Sequence, residues 1–555
     1  MKKSIKCLSA VLMTSVLAVS AGAVAAPTFA GAYDITMSST TGHTYTAYQI
    51  FDGDLYESGS TKTLSNITWG ANINDSTFLT ALQGSSAFGS TNPFAGKTTA
   101  AQVASVVDNW DDTTDAAKIK AFAELAAANL NTTAGVSGTG TITIDAVNAG
   151  YYLIKDTTAS ASMPAGGTYS DFMLKVVSDV TVAAKDETVT SDKKVTDAND
   201  SDGSTEPNKT TADYDIGDDV PYVLTFTLPA KYAEYEKYPI TFTDDMCAGL
   251  TYNGDAKIYY GAGDTTGTTI SLSTTTGTEY TGGQKYTYSI ADLKAAQEAA
   301  ETGSALKSLA AGSVIRIEYT AKLNAGAVIG SAGNPNKYSV TFANDPTWYD
   351  DGVGGTQPDT PPTGTTPEKV NTVFTYKLVV NKVKSDNTAL TGADFTLYKF
   401  IKSATGSDTY GEDKGTWTSV TALNSGEGAV NPTKATSANG TVADSVFTFA
   451  GIDDGVYKLV ESTTPEGYNT IDPIIFTIAP TADGDLPDTI NLGSASFSCT
   501  DSTGAIEGNV INNAGVTLPG TGGIGTTVFY IIGGLMITGA LVLFIVKKRM
   551  NIKEK

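Results

Sequence analysis

Short runs of alternating apolar and polar residues recur along most of the chain. Examples are TYTAYQIF, KLVVNKV, FTLYKF and VYKLVE, each bounded by clusters of Gly, Ser, Thr, Asn and Asp. A period of two places the apolar side chains on one face of a strand, and turn residues end the strand. The pattern predicts an all-β protein made of tandem β-sandwich domains.

Two stretches have helical spacing instead of strand alternation. They are AAKIKAFAELAAANL, from Ala116 to Leu130, and SIADLKAAQEAA, from Ser289 to Ala300. In the second, Ser289 and Asp292 have the spacing of a capping box. Both are predicted as short helices inserted between strands of the sandwich domains.

The N-terminus has the pattern of a secretory signal peptide. A charged start, MKKSIK, precedes an apolar stretch that is too short and too rich in small residues for a stable membrane span. Small residues permit cleavage after Ala25 or after Ala30, and Ala30 is preferred because Pro27 is unfavourable close to the scissile bond. Residues 1–30 are therefore assigned to the signal segment.

The C-terminus carries a second apolar run, from Ile524 to Val546. About 23 residues at ~1.5 Å each span ~35 Å, which is enough for a hydrocarbon core of ~30 Å. Lys547, Lys548 and Arg549 follow it and are expected to stay in the cytoplasm. The body of the chain is therefore predicted to be exported and held, at least at first, by a C-terminal transmembrane helix.

Composition excludes several classes of function. The net charge of -23 and the pI of about 4.4 argue against nucleic-acid binding, because a polyanion would be repelled. Of three cysteines, Cys7 lies in the signal segment, and Cys247 and Cys499 are far apart. We therefore expect no disulfide framework, so that the stability of an exported chain needs another device.

The single histidine, His43, is expected to lie at the surface or in a turn before a strand. No G-x-S-x-G motif accompanies it and no Cys/His spacing suits a metal. We predict no metal, no cofactor and no enzymatic activity toward external substrates.

Polar, Pro- and Gly-rich stretches mark the domain boundaries. One lies between Ala183 and Asp215 and the other between Asp350 and Lys369. The predicted division is a signal segment, three domains, a short motif and a membrane segment with a basic tail, at residues 1–30, 31–187, 188–360, 361–517, 518–522 and 523–555.

The motif at 518–522 is LPGTG, consisting of Leu518, Pro519, Gly520, Thr521 and Gly522. Pro519 lacks a backbone donor and the glycines favour an accessible, extended segment. With the apolar span and basic tail behind it, the motif resembles the cell-wall sorting signal of Gram-positive surface proteins. The resemblance implies that a sortase cuts between Thr521 and Gly522, holds the Thr521 carbonyl as a thioester and transfers it to an amine.

The third domain contains two patterns, L-x-G-A-x-F-x-L-Y and Y-x-L-x-E-x-x-x-P-x-G-Y. Together they resemble collagen-adhesin B-type immunoglobulin-like domains. The resemblance implies a spontaneous isopeptide bond between Lys382 and Asn512, with Glu461 as the catalytic acid. Burial would lower the pKa of the lysine and keep the acid protonated, so that Glu461 could polarise the Asn512 carbonyl and shuttle protons as ammonia leaves.

The middle domain offers a looser version of this arrangement, similar to the middle domains of pilins. Lys193, catalytic Asp244 and Asn344 are preferred by position, with Lys194 and Asn336 as alternatives. Neighbouring lysines on a strand point to opposite faces, so only one of the two can enter the core.

The first domain departs from the pattern. AGYYLIKD, from Ala149 to Asp156, parallels VYKLVE, but Lys155 stands where Glu461 stands. A cation cannot serve as the proton-shuttling acid, and no isopeptide bond is predicted there.

The segment SDVTVAAKDETV places Lys185 after the last strand of the first domain. It resembles the V-x-x-P-K motif of sortase-assembled pilins, in which the lysine accepts the threonine of the next subunit. Ala184 replaces the proline here, and Lys193 and Lys175 are the alternatives for the acceptor.

The whole chain thus resembles a backbone subunit of a covalently polymerised pilus, with tandem immunoglobulin-like domains. The resemblance implies that Thr521 of one copy is joined to Lys185 of another, and that the fibre is anchored to peptidoglycan at the cell wall. The implied partners are further copies of the chain, class C and housekeeping sortases, peptidoglycan and, at the fibre ends, tip and basal pilins. A monomeric wall-anchored adhesin and an accessory pilus subunit are the alternatives.

Overall fold

The computed structural model describes most of the exported part and the C-terminal helix. The described residues are 32–38, 42–58, 61–111, 113–145, 148–184, 187–348, 360–403, 415–420, 433–436, 442–481, 489–493, 496–500, 504–516 and 524–550. The signal segment 1–30, Lys185 and the motif 518–522 lie outside these residues.

The N-terminal unit combines two sheets with three helices. Its strands are β1 (Ala32–Ser38), β2 (Tyr45–Ser58), β3 (Thr61–Trp69), β4 (Val136–Gly138), β5 (Thr141–Asp145), β6 (Gly150–Asp156), β7 (Asp171–Val176) and β8 (Val180–Ala183). One sheet has the order β3-β2-β6-β7, with β4 also on β2, and the other has the order β5-β1-β8. The helices are α1 (Asp75–Gly84), α2 (Ala100–Val107) and α3 (Ala116–Ala128). Their apolar faces bury an aromatic cluster that includes Phe78, Phe94 and Phe122 against the larger sheet.

The middle unit is a sandwich of two sheets around one core. Its elements are β9 (Ser191–Asn199), β10 (Ser204–Lys209), β11 (Thr211–Asp213), β12 (Asp219–Thr227), β13 (Ile240–Met246), β14 (Leu250–Tyr252), β15 (Lys257–Tyr260), β16 (Thr268–Thr269), β17 (Ser273–Thr276), β18 (Gln284–Ile290), α4 (Leu293–Ala299), β19 (Val314–Leu323), β20 (Asn334–Ala343), β21 (Thr363–Thr365) and β22 (Lys369–Phe374). The sheet orders are β10-β9-β12-β19-β15-β16, with β14 on β19, and β11-β22-β20-β13-β18-β17, with β21 on β20.

The C-terminal unit is a smaller sandwich. Its strands are β23 (Tyr376–Lys384), β24 (Asp394–Lys402), β25 (Gly415–Ser419), β26 (Thr433–Thr436), β27 (Val442–Ile452), β28 (Gly455–Thr463), β29 (Ile474–Thr481), β30 (Thr489–Asn491), β31 (Ser498–Thr500) and β32 (Ala505–Asn512). They form sheets of order β26-β27-β23-β32-β31 and β25-β24-β28-β29-β30. The first and last strands, β23 and β32, lie side by side and parallel.

A single long helix, α5 (Ile524–Met550), follows these units. Its stretch Thr527–Met550 has a mean hydropathy of 2.4 and is long and apolar enough to cross a membrane. The prediction of an all-β protein with short helices and a C-terminal apolar helix is confirmed.

The helices differ in detail from those predicted. The capping box at Ser289 is wrong, because Ser289 lies in β18 and its hydroxyl hydrogen-bonds Thr241 of the neighbouring strand at 2.8 Å. Helix α4 begins only at Leu293, with Asp292 as the N-cap accepting the Lys294 N–H at 2.9 Å. Helices α1 and α2 were not predicted. The sequence of α1, DSTFLTALQG, contains Asp, Ser and Thr residues that are also typical of loops, and α2, AAQVASVV, is short and contains three β-branched valines.

The pairing of β21 and β22 differs from the predicted division at residues 360 and 361. Both strands pair with β20, and β22 also pairs with β11, so residues up to Phe374 extend a middle-unit sheet. The Pro- and Gly-rich stretch used as the boundary, Asp350 to Lys369, therefore contains β21 and ends at the first residue of β22, so it does not separate the two units.

His43 follows a turn residue and precedes β2, in agreement with one of the two expected positions, but it is buried and not at the surface. Its Nδ1 lies 2.7 Å from Asp156 Oδ2, and the other carboxylate oxygen accepts the Thr158 hydroxyl at 2.6 Å. The pair ties the segment before β2 to the end of β6.

Candidate cross-link sites

The C-terminal unit brings Lys382, Glu461 and Asn512 together in its core. Lys382 lies on β23 and Asn512 on the adjacent β32, while Glu461 reaches them from β28 of the opposite sheet. All three side chains are buried because each occupies an inward-facing position of an alternating strand.

The contacts order the three groups for amide chemistry. Lys382 Nζ donates to Asn512 Oδ1 in a short hydrogen bond, and to the Val510 carbonyl at 2.9 Å. Asn512 Nδ2 donates to both carboxyl oxygens of Glu461, at 2.9 and 3.1 Å. Lys382 Nζ lies 3.7 Å from Glu461 Oε1. The acid thus faces the amide nitrogen, and not the carbonyl oxygen as the sequence suggested.

Two neighbours fix the Glu461 carboxyl group. Its Oε2 accepts the Ile471 backbone N–H at 3.1 Å and the Thr464 hydroxyl at 3.3 Å. Burial lowers the pKa of Lys382, while the nearby acid opposes that shift. A buried lysine with a lowered pKa has more of the uncharged amine that can act as a nucleophile.

The middle unit holds a second cluster, which spans its two sheets. Lys193 on β9 lies 2.7 Å from Asp244 Oδ2 on β13, and both side chains are buried. Lys194, by contrast, is part-exposed and pairs with Asp192 at 3.3 Å. Burial lowers the pKa of Lys193 to about 8, against the attraction of Asp244.

Tyr319 on β19 links this second cluster and was not identified from the sequence. Its hydroxyl donates to Asp244 Oδ2 at 2.7 Å and accepts from Lys193 Nζ at 3.1 Å. It also accepts from Asn336 Nδ2 at 2.8 Å. One hydroxyl thereby uses its single donor and both acceptor sites to hold the lysine, the acid and an amide together.

Asn344, the preferred amide, lies outside this cluster, and the alternative Asn336 lies within it. Asp244 pairs with Tyr338 on β20, two residues from Asn336 and six from Asn344, which follows the end of that strand. Asn344 instead faces the N-terminal unit, where its Nδ2 donates to the Gly167 carbonyl at 3.5 Å. Strand register therefore brings Asn336, and not the preferred Asn344, into contact with this cluster.

Lys155, in the N-terminal unit, has a different environment. Its Nζ lies 3.0 Å from Asp171 Oδ2 on β7, and its side chain is 36% exposed. Asp171 raises the pKa of Lys155 although burial opposes the shift, so this lysine stays protonated.

The groups assigned to polymerisation are largely outside the described residues. This holds for Lys185 and for Leu518, Pro519, Gly520, Thr521 and Gly522. Of the acceptor alternatives, Lys175 lies part-buried on β7 and Lys193 is buried in the core described above. A buried Lys193 is not accessible to an external enzyme.

Two family models match the chain. Residues 376–490 match the prealbumin-like fold domain of the SpaA type, and residues 511–551 match the LPXTG cell wall anchor motif. The chain carries a SpaA-type domain and a cell wall anchor. The first match covers the strands with Lys382 and Glu461, and the second begins one residue before Asn512 and includes the predicted sorting motif.

The chain is also similar to two curated proteins and to a solved structure. The trypsin-resistant surface T6 protein of Streptococcus pyogenes serotype M6 is 26% identical over 372 residues, covering 60% of this chain and 65% of that protein. The fimbrial subunit type 1 of Actinomyces viscosus is 28% identical over 257 residues, covering 43% of this chain and 44% of that protein. The chain thus matches less than two thirds of the length of these relatives. A solved structure of the T6 backbone pilin of S. pyogenes has a TM-score of 0.49 and 18% identity, covering 88% of this chain and all of that chain.

Proposed function

We propose that the protein is the backbone subunit of a covalently polymerised pilus anchored to a Gram-positive cell wall. The observation that carries the proposal is the pair of buried Lys-acid-Asn clusters in a chain that ends in a cell wall anchor motif. A fibre subunit without disulfides between its described cysteines needs another covalent constraint, and these clusters can supply it.

In the C-terminal unit, the uncharged Lys382 amine attacks Cγ of Asn512. The new C–N bond forms as the C–O π pair moves to oxygen, and Glu461 accepts the proton from the attacking nitrogen. Glu461 then gives this same proton to Nδ2, the pair on oxygen re-forms the C=O bond as the old C–N bond breaks, and ammonia leaves. The contacts between Glu461 and Asn512 Nδ2 support this role at the leaving group.

In the middle unit, Lys193, Asp244 and Asn336 take the corresponding roles. Tyr319 is a positioning residue that orients the lysine and the amide around the acid. Each product is a neutral amide in place of a buried charge, which removes a desolvation cost. A bond that closes a loop of 130 residues, as between Lys382 and Asn512, constrains the unfolded chain by about 5 kcal/mol.

Polymerisation joins the Thr521 carbonyl of one copy to an amine of the next, which we assign to Lys185. A head-to-tail contact of this kind does not close on itself and therefore yields a fibre. A class C sortase performs the joining and a housekeeping sortase attaches the fibre to peptidoglycan, with tip and basal pilins at its ends. The chain is the substrate in these steps and catalyses only its own cross-links.

Immunoblotting of cell-wall extracts tests this function. We expect a ladder of SDS-resistant multimers that disappears on Lys185→Ala and on Thr521→Ala. Lys175→Ala is the matched control and should leave the ladder unchanged. A single monomer band in the unmodified strain would overturn the backbone role and favour a monomeric wall-anchored adhesin.

A further inference from the structure

A third buried lysine, Lys399, lies where the middle and C-terminal units meet. Its Nζ is 3.0 Å from Asp215 Oδ2 and 3.0 Å from Asp453 Oδ2. Asp200 Oδ2 is 3.3 Å away. Asp200 and Asp215 belong to the middle unit, so the lysine of one unit is held by carboxylates of both. We call the contact between these two units the seam.

Hydrogen bonds donated by backbone N–H groups also cross the seam. The Asp453 N–H donates to Asp215 Oδ1 at 2.9 Å, and the Ile216 N–H donates to the Gly451 carbonyl at 3.0 Å. The Val456 N–H donates to the Ser201 hydroxyl at 2.9 Å. A Cβ on Gly451, whose φ is +76°, would lie 2.4 Å from the Ile216 side chain. The two units therefore approach each other to van der Waals distance.

The seam contains more acids than its one buried lysine can neutralise. The charged and titratable groups on both sides are Asp197, Asp200, Asp213, Asp215, Asp218, Asp453, Asp454, Lys399, Tyr214, Tyr376 and Tyr457. Lys402 lies at the rim, where its Nζ donates to the Asp202 carbonyl at 2.6 Å. Buried carboxylates that have no cation to neutralise them repel one another unless some of them are protonated.

Asp454 is the group best placed to respond to pH. It accepts a hydrogen bond across the seam from Asn199 Nδ2 at 2.6 Å, while its other oxygen is buried without a hydrogen-bond partner among the described residues. Burial, with Asp197 facing it, raises the pKa of Asp454 to about 6. A carboxyl group with a raised pKa in the docked state favours docking at low pH, and this gain is lost as the pH rises through about 6.

We propose that the seam is a proton-sensitive clamp that holds the middle and C-terminal units as one rigid body, more tightly in mild acid than at neutral pH. The clamp is ionic and not covalent. Nearby carboxylates hold the pKa of Lys399 well above its usual value, so the amine keeps its proton and has no lone pair for attack. The clamp goes beyond the proposed pilus role and acts within a single copy of the chain.

Hydrogen exchange of the full chain in detergent micelles tests the clamp. The reporters are the three seam amides, Ile216, Asp453 and Val456, with interior amides of β12 and β23 as the reference for intact units. After correction for intrinsic exchange, protection of the seam amides should fall about tenfold between about pH 5 and about pH 7.5, as expected for one carboxyl group with this pKa shift. Interior amides should keep their protection.

Two variants and one control complete the test. Lys399→Met should lower seam protection by about 100-fold, because it leaves buried carboxylates without their cation. Lys402→Met, on the same strand at the rim, should change it by less than about threefold. Asp454→Asn should leave the units folded and reduce the pH dependence. Asp218, whose pKa is also raised to about 6 by burial, accounts for the part that remains.

Three results would each overturn the clamp. One is seam protection that is independent of pH in the unmodified chain, and another is protection unaffected by Lys399→Met. The third is a peptide in which Lys399 is joined to an aspartate, with loss of about 18 Da as water, because the bond would then be an amide.

Discussion

The N-terminal and C-terminal units carry similar strand sequences but opposite charges at one position. In the C-terminal unit, Glu461 on β28 is buried against Asn512, while in the N-terminal unit Lys155 on β6 is part-exposed and paired with Asp171. An acid that is buried next to a desolvated lysine and an amide can transfer protons between them. A half-exposed cation beside a carboxylate forms only an ion pair. The comparison indicates that covalent chemistry depends on which charge the strand buries, more than on the sandwich itself.

Helices add packing to the N-terminal unit, for which no cross-link is predicted. Helices α1 to α3 cover its larger sheet and bury a group of aromatic rings, among them Phe51, Trp110 and Phe122. The C-terminal unit has no comparable helical layer among its described residues and closes its core with two strand sheets. We therefore expect the cross-link to contribute most where the core is smallest.

The largest effect is expected from Glu461→Gln. Without the acid, the Lys382–Asn512 bond should not form. The intact mass should then exceed that of the cross-linked chain by about 16 Da, because retained ammonia adds about 17 Da and the substitution of Glu by Gln removes about 1 Da. Loss of a constraint of about 5 kcal/mol should lower the Tm of the C-terminal unit by about 20 °C in calorimetry. An unchanged mass would contradict the role of Glu461.

A matched pair, Asn336→Ala and Asn344→Ala, sharpens the assignment in the middle unit. Asn336→Ala should not show the loss of about 17 Da that the middle-unit cross-link causes, because the substitution removes the carboxamide that releases ammonia. Asn344→Ala should leave the mass loss intact, since this residue faces the N-terminal unit. The opposite result would return the assignment to Asn344.

A smaller effect is expected from Tyr319→Phe, which removes only a hydroxyl group. The cross-link should still form, but about tenfold more slowly, because one hydrogen bond that orients Lys193 and Asn336 is lost. The cross-linked fraction at increasing times after synthesis, read by mass spectrometry, measures the rate. A rate equal to that of the unmodified chain would exclude a positioning role.

The smallest effect on the intact mass is expected from Lys155→Met, which should show only the substitution itself. The free energy of unfolding should fall by about 1–3 kcal/mol, because the buried Asp171, 6% exposed, loses its cation. Mass spectrometry and denaturant titration measure the two quantities. Any loss of ammonia that depends on Lys155 would break the contrast between the two units.

Much of the fold follows from strand alternation. That pattern predicted the sandwich class, and it required that only one of Lys193 and Lys194 face the core, since a strand turns every second side chain inward. The buried position of Lys382 was implied by the family resemblance. Strand alternation did not predict α1, whose polar residues are also typical of loops, or α2, which is short and contains β-branched valines. It also could not show that Asn336 lies closer than Asn344 to the residue that pairs with Asp244, because register depends on pairing between strands that are distant in sequence.

Two residues were missed for different reasons. Tyr319 lies at an inward position of β19, where an aromatic residue is indistinguishable from ordinary core. Lys399 offered a usable signal, because it shares the inward register of β24 with Phe395 and Leu397. A lysine at an apolar position of an alternating strand indicates a buried partner of opposite charge.

Intact-mass spectrometry of the exported chain, followed by peptide mapping, tests the central claim most directly. The account predicts a mass about 34 Da below that of the sequence, for two ammonia molecules, and two branched peptides that join Lys382 to Asn512 and Lys193 to Asn336. A mass equal to that of the unmodified sequence, with both lysines free, would contradict it.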